Sequence, residues 1–184
     1  MFGALRLPAL RNLQIDSDFQ DPSALFAFLD RSQCQLEEFG FIDGCMSPVA
    51  LSVLLHDERL QSVRTLMFLG IVDTISSGLT TGATVTRALL YPSPAEKMMN
   101  KVVLPNLASL TLSTVQFDDG DAVTALMDML SSRRNIDHLP STISRLQLFV
   151  VRGQKHFSFK DKVMQARFRK FCNDGLAFAD VRND

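Results

Sequence analysis

One spacing governs this chain: an apolar residue, a second three positions on, and a third two beyond that. It occurs as Leu10-x-x-Leu13-x-Ile15, Leu36-x-x-Phe39-x-Phe41, Val63-x-x-Leu66-x-Phe68, Leu107-x-x-Leu110-x-Leu112 and Ile143-x-x-Leu146-x-Leu148. These segments begin 26 and 27 residues apart, then 44 and 36. A unit of this length cannot bury its own apolar face, so successive units must stack on one another. The last two apolar residues of each segment alternate with polar or small neighbours, the period-two mark of a short strand buried on one face. Strands are therefore expected near residues 12–15, 38–42, 65–69, 109–113 and 145–150.

Between these segments the apolar period lengthens to that of a helix. Pro22 to Ser32 carries Leu25, Phe26, Phe28 and Leu29, and Ser47 to Glu58 carries Val49, Leu51, Val53, Leu54 and Leu55. Both read as amphipathic helices opened by Pro or Ser. From Asp121 to Arg134, the residues Val123, Leu126, Met127 and Leu130 make a clean i, i+3, i+4, i+7 stripe. Its acidic start and the terminal Arg133 and Arg134 suit the helix dipole. Asp161 to Cys172 predicts a further helix, stopped at Asn173-Asp174-Gly175 and followed by a closing strand over Leu176 to Val181. The segment 70–104 exceeds one plain unit and reads as an irregular insertion, with a helix over Thr84 to Tyr91 and a loop from Pro92 to Lys101. A second loop is expected over Asn135 to Thr142.

Strand and helix thus alternate, each helix returning the chain to a parallel neighbouring strand. The first two intervals fall in the ~20–29-residue window of leucine-rich repeats. The expected fold is α/β: a single leucine-rich-repeat domain over residues 1–184, a solenoid arc with parallel strands on its concave side and helices outside, closed by 161–181. The positions that carry an asparagine ladder in regular arrays hold Asp18, Gly44, Ile71, Val115 and Val151, which predicts an irregular array.

Leu7-Pro8-Ala9-Leu10-Arg11-Asn12-Leu13 is echoed by Leu104-Pro105-Asn106-Leu107-Ala108-Ser109-Leu110. With Arg31-Ser32-Gln33-Cys34-Gln35-Leu36 and the terminal Arg167-Phe168-Arg169-Lys170-Phe171 followed by Gly175-Leu176, these runs resemble the leucine-rich-repeat region of fungal, especially basidiomycete, F-box-like proteins. The resemblance spans nearly the whole chain. It implies the substrate-recognition repeats of a ubiquitin-ligase receptor, a family in which an N-terminal F-box docks the ligase adaptor and the repeats bind the target. Here the first repeat begins at about Leu10, which leaves no room for an F-box bundle, so adaptor docking is not expected of this sequence.

Composition narrows the function classes. A hydrophobic fraction of 46% with 21% charged residues fits a globular chain. A net charge of -1 provides no field to draw the molecule to nucleic acid or an anionic membrane. No run of ~20 apolar residues is present. Three cysteines, Cys34, Cys45 and Cys172, suit a reducing cytoplasmic or nuclear compartment.

No catalytic, cofactor or metal residues are assigned. Cys34, Cys45 and His56 lack a fourth ligand and a paired spacing, so the cysteines read as small buried hydrophobes. Gly78-Leu79-Thr80-Thr81-Gly82-Ala83-Thr84 is one residue short of a phosphate loop and lacks its lysine, so it reads as a turn into a helix. Asp118-Asp119-Gly120-Asp121 lacks the ligand alternation of a calcium loop and reads as a helix start. His56, His138 and His156 adjoin no nucleophile motif. The expectation is a non-enzymatic protein-interaction module whose target the sequence does not name.

The alternative is an RNA-associated protein using the basic stretch Arg152, Lys155, Lys160, Lys162, Arg167, Arg169 and Lys170, which otherwise reads as a solvated helix face. For protein binding, strand alternation places Gln14, Glu38, Ile42, Thr65, Met67, Leu69, Thr111, Arg145, Gln147 and Phe149 on the concave face. That face would run from amide and acidic groups through an apolar centre to a cationic end.

Overall fold

A computed structural model of the chain describes residues 4–16, 22–42, 48–69, 82–90, 103–113, 120–135, 143–152, 159 and 161–181. Six strands, β1 (Asn12–Asp16), β2 (Glu38–Ile42), β3 (Thr65–Leu69), β4 (Ser109–Ser113), β5 (Leu148–Arg152) and β6 (Ala177–Val181), form one sheet. Every pairing is parallel, and spatial order follows chain order from β1 to β6. The connections hold α1 (Ser23–Ser32), α2 (Pro48–Leu55), a 3-10 turn (Glu58–Leu60), α3 (Gly82–Ala88), α4 (Gly120–Arg134) and α5 (Lys162–Asn173). Because each crossover steps the same way along the sheet, a constant crossover hand puts the helices on one face. Helix contacts agree: α1 touches the 3-10 turn, and α2, α3, α4 and α5 touch in succession. Among the described residues the strand order is not doubly wound.

Register fixes which side chains enter the core. The second residues of the strands align as Leu13, Phe39, Leu66, Leu110, Phe149 and Phe178, and the fourth as Ile15, Phe41, Phe68, Leu112, Val151 and Asp180. From β2 to β5 all of these are buried, in one cluster with Leu25, Phe28 and Leu29 of α1, Leu51, Leu54 and Leu55 of α2, and Leu126, Met127 and Leu130 of α4. Each fully buried side chain of this kind contributes roughly 1.5–3 kcal/mol. From β2 to β5 the residue two places before the strand seals the same core: Leu36, Val63, Leu107 and Leu146 have no exposure.

The fifth unit differs from the expectation. Ser109 pairs with Leu148 and Leu110 with Phe149, so the repeat is Leu146-x-x-Phe149-x-Val151 and the strand is Leu148–Arg152, not 145–150. Ile143-x-x-Leu146-x-Leu148 and the true unit share Leu146, since the spacing overlaps itself when shifted by three. The β-rich run Leu148-Phe149-Val150-Val151 decides between them.

The other expected strands and helices are present, with bounds within about three residues of the expectation. Strands β2, β3 and β4 have the expected bounds. The Leu-x-x-Leu echo is structural, because Leu10 N–H donates to the Leu7 carbonyl and Leu107 N–H to that of Leu104, both at 3.1 Å. Helix α5 stops as its sequence predicts: Gly175 takes φ +89°, and Leu176 N–H reaches back 2.9 Å to the Phe171 carbonyl. Helix α3 covers Gly82–Ala88 rather than Thr84 to Tyr91, and residues 70–81, 91–102 and 136–142, which hold most of the expected insertion and loops, lie outside the described residues.

A shared device sets the register at the strand entrances. The Arg11 carbonyl accepts from the N–H groups of both Glu37 (2.8 Å) and Glu38 (3.1 Å), and Glu37 from Arg64 (2.8 Å) and Thr65 (3.0 Å). The Arg64 carbonyl does the same for Ala108 and Ser109 (2.8 and 2.9 Å), and Ala108 for Gln147 and Leu148 (2.8 and 3.0 Å). One carbonyl thus orients two successive N–H donors of the next strand.

Charged groups hold the connections in two ways. Arg59, on the 3-10 turn, grips Asp30 of α1 with two bonds of 2.6 and 2.8 Å, grips Asp57 at 2.8 Å, and lies 5.1 Å over the Phe26 ring. These bonds hold the Asp30 carboxyl below its ordinary pKa. At the end of α4 the arginines expected only to complement the dipole are buried. Arg133, with no exposure, donates to the carbonyls of Leu89 (2.9 Å), Leu104 (3.1 Å) and Val103 (2.7 Å).

Candidate functional site

The face of the sheet away from the helices carries the first, third and fifth residue of each strand. The third row is Gln14, Gly40, Met67, Thr111, Val150 and Ala179. None of these belongs to the apolar core cluster, including Val150, which is 8% exposed. Parallel sheets ordinarily have both faces covered by helices. Among the described residues, this one packs its core against only one.

The centre of the open face is apolar and built around a glycine. A Cβ on Gly40 would stand 3.3 Å from Gln14 Cγ and 3.3 Å from Met67 Cε, so the Met67 thioether chain lies across the space that a β2 side chain would fill. Ile42 and Leu69, paired in register, flank it and are partly exposed, as are Met67 and Thr65. Toward β1 the face turns polar, with Gln14 exposed and Glu38 partly so. Toward β4 it closes, since Thr111 and Ser113 are 5% and 8% exposed.

Three predicted face residues fall elsewhere, and all trace to the three-residue frame shift in the fifth unit. Phe149 is core: it has no exposure, and its ring centroid lies 6.1 Å from Phe178 and 6.4 Å from Phe168. Gln147 is exposed but precedes β5, in the entrance row with Arg11, Glu37, Arg64 and Ala108. Arg145 lies still earlier, and its Nη2 donates 3.1 Å to the Asp174 carbonyl after α5. Their places on the face belong to Leu148, Val150 and Arg152. The expected cationic end shrinks to Arg152, leaving an apolar centre with an amide and acidic margin.

Arg145 instead joins a cleft of about 490 Å³ where α4 and α5 end, lined by Arg134, Arg167, Lys170, Asp174 and Ser131 among others. These residues come from separate stretches of chain, so no local motif announces the cleft.

The other groups singled out in the sequence are accounted for locally. Cys34 and Cys172 are free thiols whose pKa values burial pushes up, which disfavours the reactive thiolate. His56 Nδ1, just past the end of α2, sits 2.7 Å from the Ser52 carbonyl in its last turn. Gly120 and Asp121 open α4, and Gly82 opens α3. Cys45, His138, His156 and residues 78–81 and 118–119 lie outside the described residues. Among the described residues no three His, Cys, Asp or Glu side chains gather as metal ligands, and no helix is long and apolar enough to cross a membrane. Comparison of the chain with protein-family models, with curated proteins and with solved structures gives no match.

Proposed function

We propose that this chain is a leucine-rich-repeat array that binds a protein through the open face of its sheet, without catalysing a reaction. The observation carrying the reading is the half-covered parallel sheet, with Ile42, Met67 and Leu69 partly exposed at its centre. An apolar centre with a polar margin is the usual plan of a protein interface. Strand order, parallel register and the recurring entrance bonds support the array. The likeness of its motifs to fungal F-box-like repeats suggests that the partner is the target of a ubiquitin-ligase receptor, met in the cytoplasm or nucleus.

The alternative of RNA binding draws on Lys162, Arg169 and Lys170, all exposed on α5. RNA-binding surfaces also present aromatic rings for stacking on bases. Here Phe168 is 7% exposed and packs 5.0 Å from Phe178, so these rings serve the core.

The test is paired substitution. Met67→Asp with Leu69→Asp abolishes capture of a partner found by affinity purification and leaves the circular dichroism unchanged. Val49→Asp with Val53→Asp, at residues 73% and 50% exposed on α2, leaves capture intact. Loss of capture in the helix pair alone, or unfolding of the sheet pair, sinks the reading. Retention on immobilised RNA that falls steeply with salt would favour the alternative.

A further inference from the structure

The cleft at the ends of α4 and α5 concentrates more charge than the fold uses. Four of its lining residues are cations, Arg134, Arg145, Arg167 and Lys170, against one carboxylate, Asp174. Two of the four have structural work. Arg134 is 4% exposed and donates to the Leu146 carbonyl and, from Nη2, to the Asp174 carbonyl at 2.8 Å. Arg145 donates to that same Asp174 carbonyl. These bonds satisfy the carbonyls at the end of α5 and cancel the negative pole that would repel an anion. Among the described residues their buried Nε–H groups donate to no partner, and the bonds they do make end on neutral carbonyls, so neither charge is neutralised by them. Arg145 also depresses the pKa of Arg134, second only to burial as a cause, which is the signature of two like charges held together.

The other two cations are surplus to the fold. Arg167 and Lys170 stand three apart on α5, on one side of the helix. Arg167 pairs at 3.8 Å with Asp128, both about half exposed, and its Nη1 donates 3.7 Å to the Met164 sulfur, contacts of little energetic weight. Lys170 is exposed and makes no ion pair or side-chain hydrogen bond among the described residues.

We propose that this cleft binds a dianionic phosphate group, with Arg145, Arg167 and Lys170 as its ligands and Arg134 as a fixed charge beneath them. Guanidinium groups suit the assignment because their planar donors match phosphate oxygens, while a lysine adds a mobile point charge. At about 490 Å³ the cleft has room for the phosphate and part of the molecule carrying it, as in the ~300–1,000 Å³ of small-ligand sites. A phosphate monoester such as a phosphorylated side chain fits that volume better than the bare ion. The site is independent of the open sheet face and stands whether or not that face binds a protein.

Calorimetry with the full chain tests this, with inorganic phosphate and O-phosphoserine as probes and sodium chloride holding ionic strength constant. One saturable site is expected for each probe, and the tighter of the two identifies the free ion or the monoester as the natural source. Lys170→Ala weakens binding about tenfold, ~1.4 kcal/mol, and adding Arg167→Ala weakens it about tenfold again. Lys162→Ala, at the far end of α5, has no effect. Circular dichroism of these surface variants matches that of the unaltered chain. Absence of saturable binding by either probe overturns the proposal, as does binding that survives the double substitution. Tighter binding of a single-stranded RNA than of either probe, with the same residues required, also overturns it in favour of a nucleic-acid surface.

Discussion

The two halves of the sheet solve the same stacking problem with different means. Strands β1, β2 and β3 begin at Asn12, Glu38 and Thr65, 26 and 27 residues apart, whereas β4, β5 and β6 follow at Ser109, Leu148 and Ala177, after 44, 39 and 29. In the first half, units meet through apolar packing, with Phe41 stacked 5.2 Å from Phe68, and through ties at the surface such as Arg59 with Asp30 and Ser62 Oγ donating 2.7 Å to the Leu36 carbonyl. In the second half, arginines lie inside. Arg133 draws together Leu89, Val103 and Leu104, residues within the longest connection, that between β3 and β4. Leu104 takes φ +43°, a strained value for a side-chain-bearing residue, and its carbonyl is one that Arg133 holds. Short connections leave few backbone groups in need of partners, while a long one brings carbonyls into the core that only a multi-donor side chain can satisfy.

The strongest way to break this contrast is Arg133→Ala. It removes three charge-assisted bonds to buried carbonyls at ~1.5–3 kcal/mol each, although the Leu104 carbonyl keeps its bond from Leu107 N–H, so a loss on the order of 5 kcal/mol is expected in denaturant unfolding. A loss under about 1 kcal/mol would mean that the second half is held by packing alone. Next comes the frame of the fifth unit. Phe149→Ala should cost ~3–5 kcal/mol and Gln147→Ala under ~0.5, and the reverse ranking would restore the frame expected from sequence. In the first half Arg59→Ala, which removes a partly exposed ion cluster and its contact with Phe26, should cost about 1 kcal/mol.

The smallest effect concerns pH. The folded-state pKa of Asp30 is depressed by its bonds to Arg59, so its contribution is present above the unfolded value of ~3.9 and vanishes as pH falls through the folded value. Urea midpoints of the parent and Asp30→Asn should differ slightly at neutral pH and converge in acid. A gap that widens in acid would show that Asp30 does not contribute through its charge.

How much of this was legible varies with how local each cause is. Strands β2, β3 and β4 follow from alternation alone, because Phe39, Leu66 and Leu110 each have one frame that buries them. The fifth strand had two frames sharing Leu146, and only pairing with Ser109 and Leu110 separates them. Gln14, Glu38, Ile42, Thr65, Met67, Leu69 and Thr111 do fall on the face away from the helices, since strand alternation needs nothing beyond the local chain. Arg134 and Arg145 were misread as a dipole partner and a face residue, because their acceptors lie up to 40 residues away and no spacing encodes them. Lys170 and Arg167 read as a solvated stripe, which is true of each alone. The cleft exists only once β5 and α5 are docked.

The shared carbonyls at the strand entrances bear on how such a chain can grow. Each one sets the register of the next strand from its first two N–H groups, before anything in the connection behind it is consulted. Residues added to a connection therefore leave every downstream side chain on its original face. Their cost is chiefly the entropy of closing a longer loop, and that rises by only ~0.6 kcal/mol for each doubling of length. A lineage built on this rule can lengthen one unit at a time, testing new surface on an unaltered sheet, and the uneven spacing of the last three strands is the record such a history would leave.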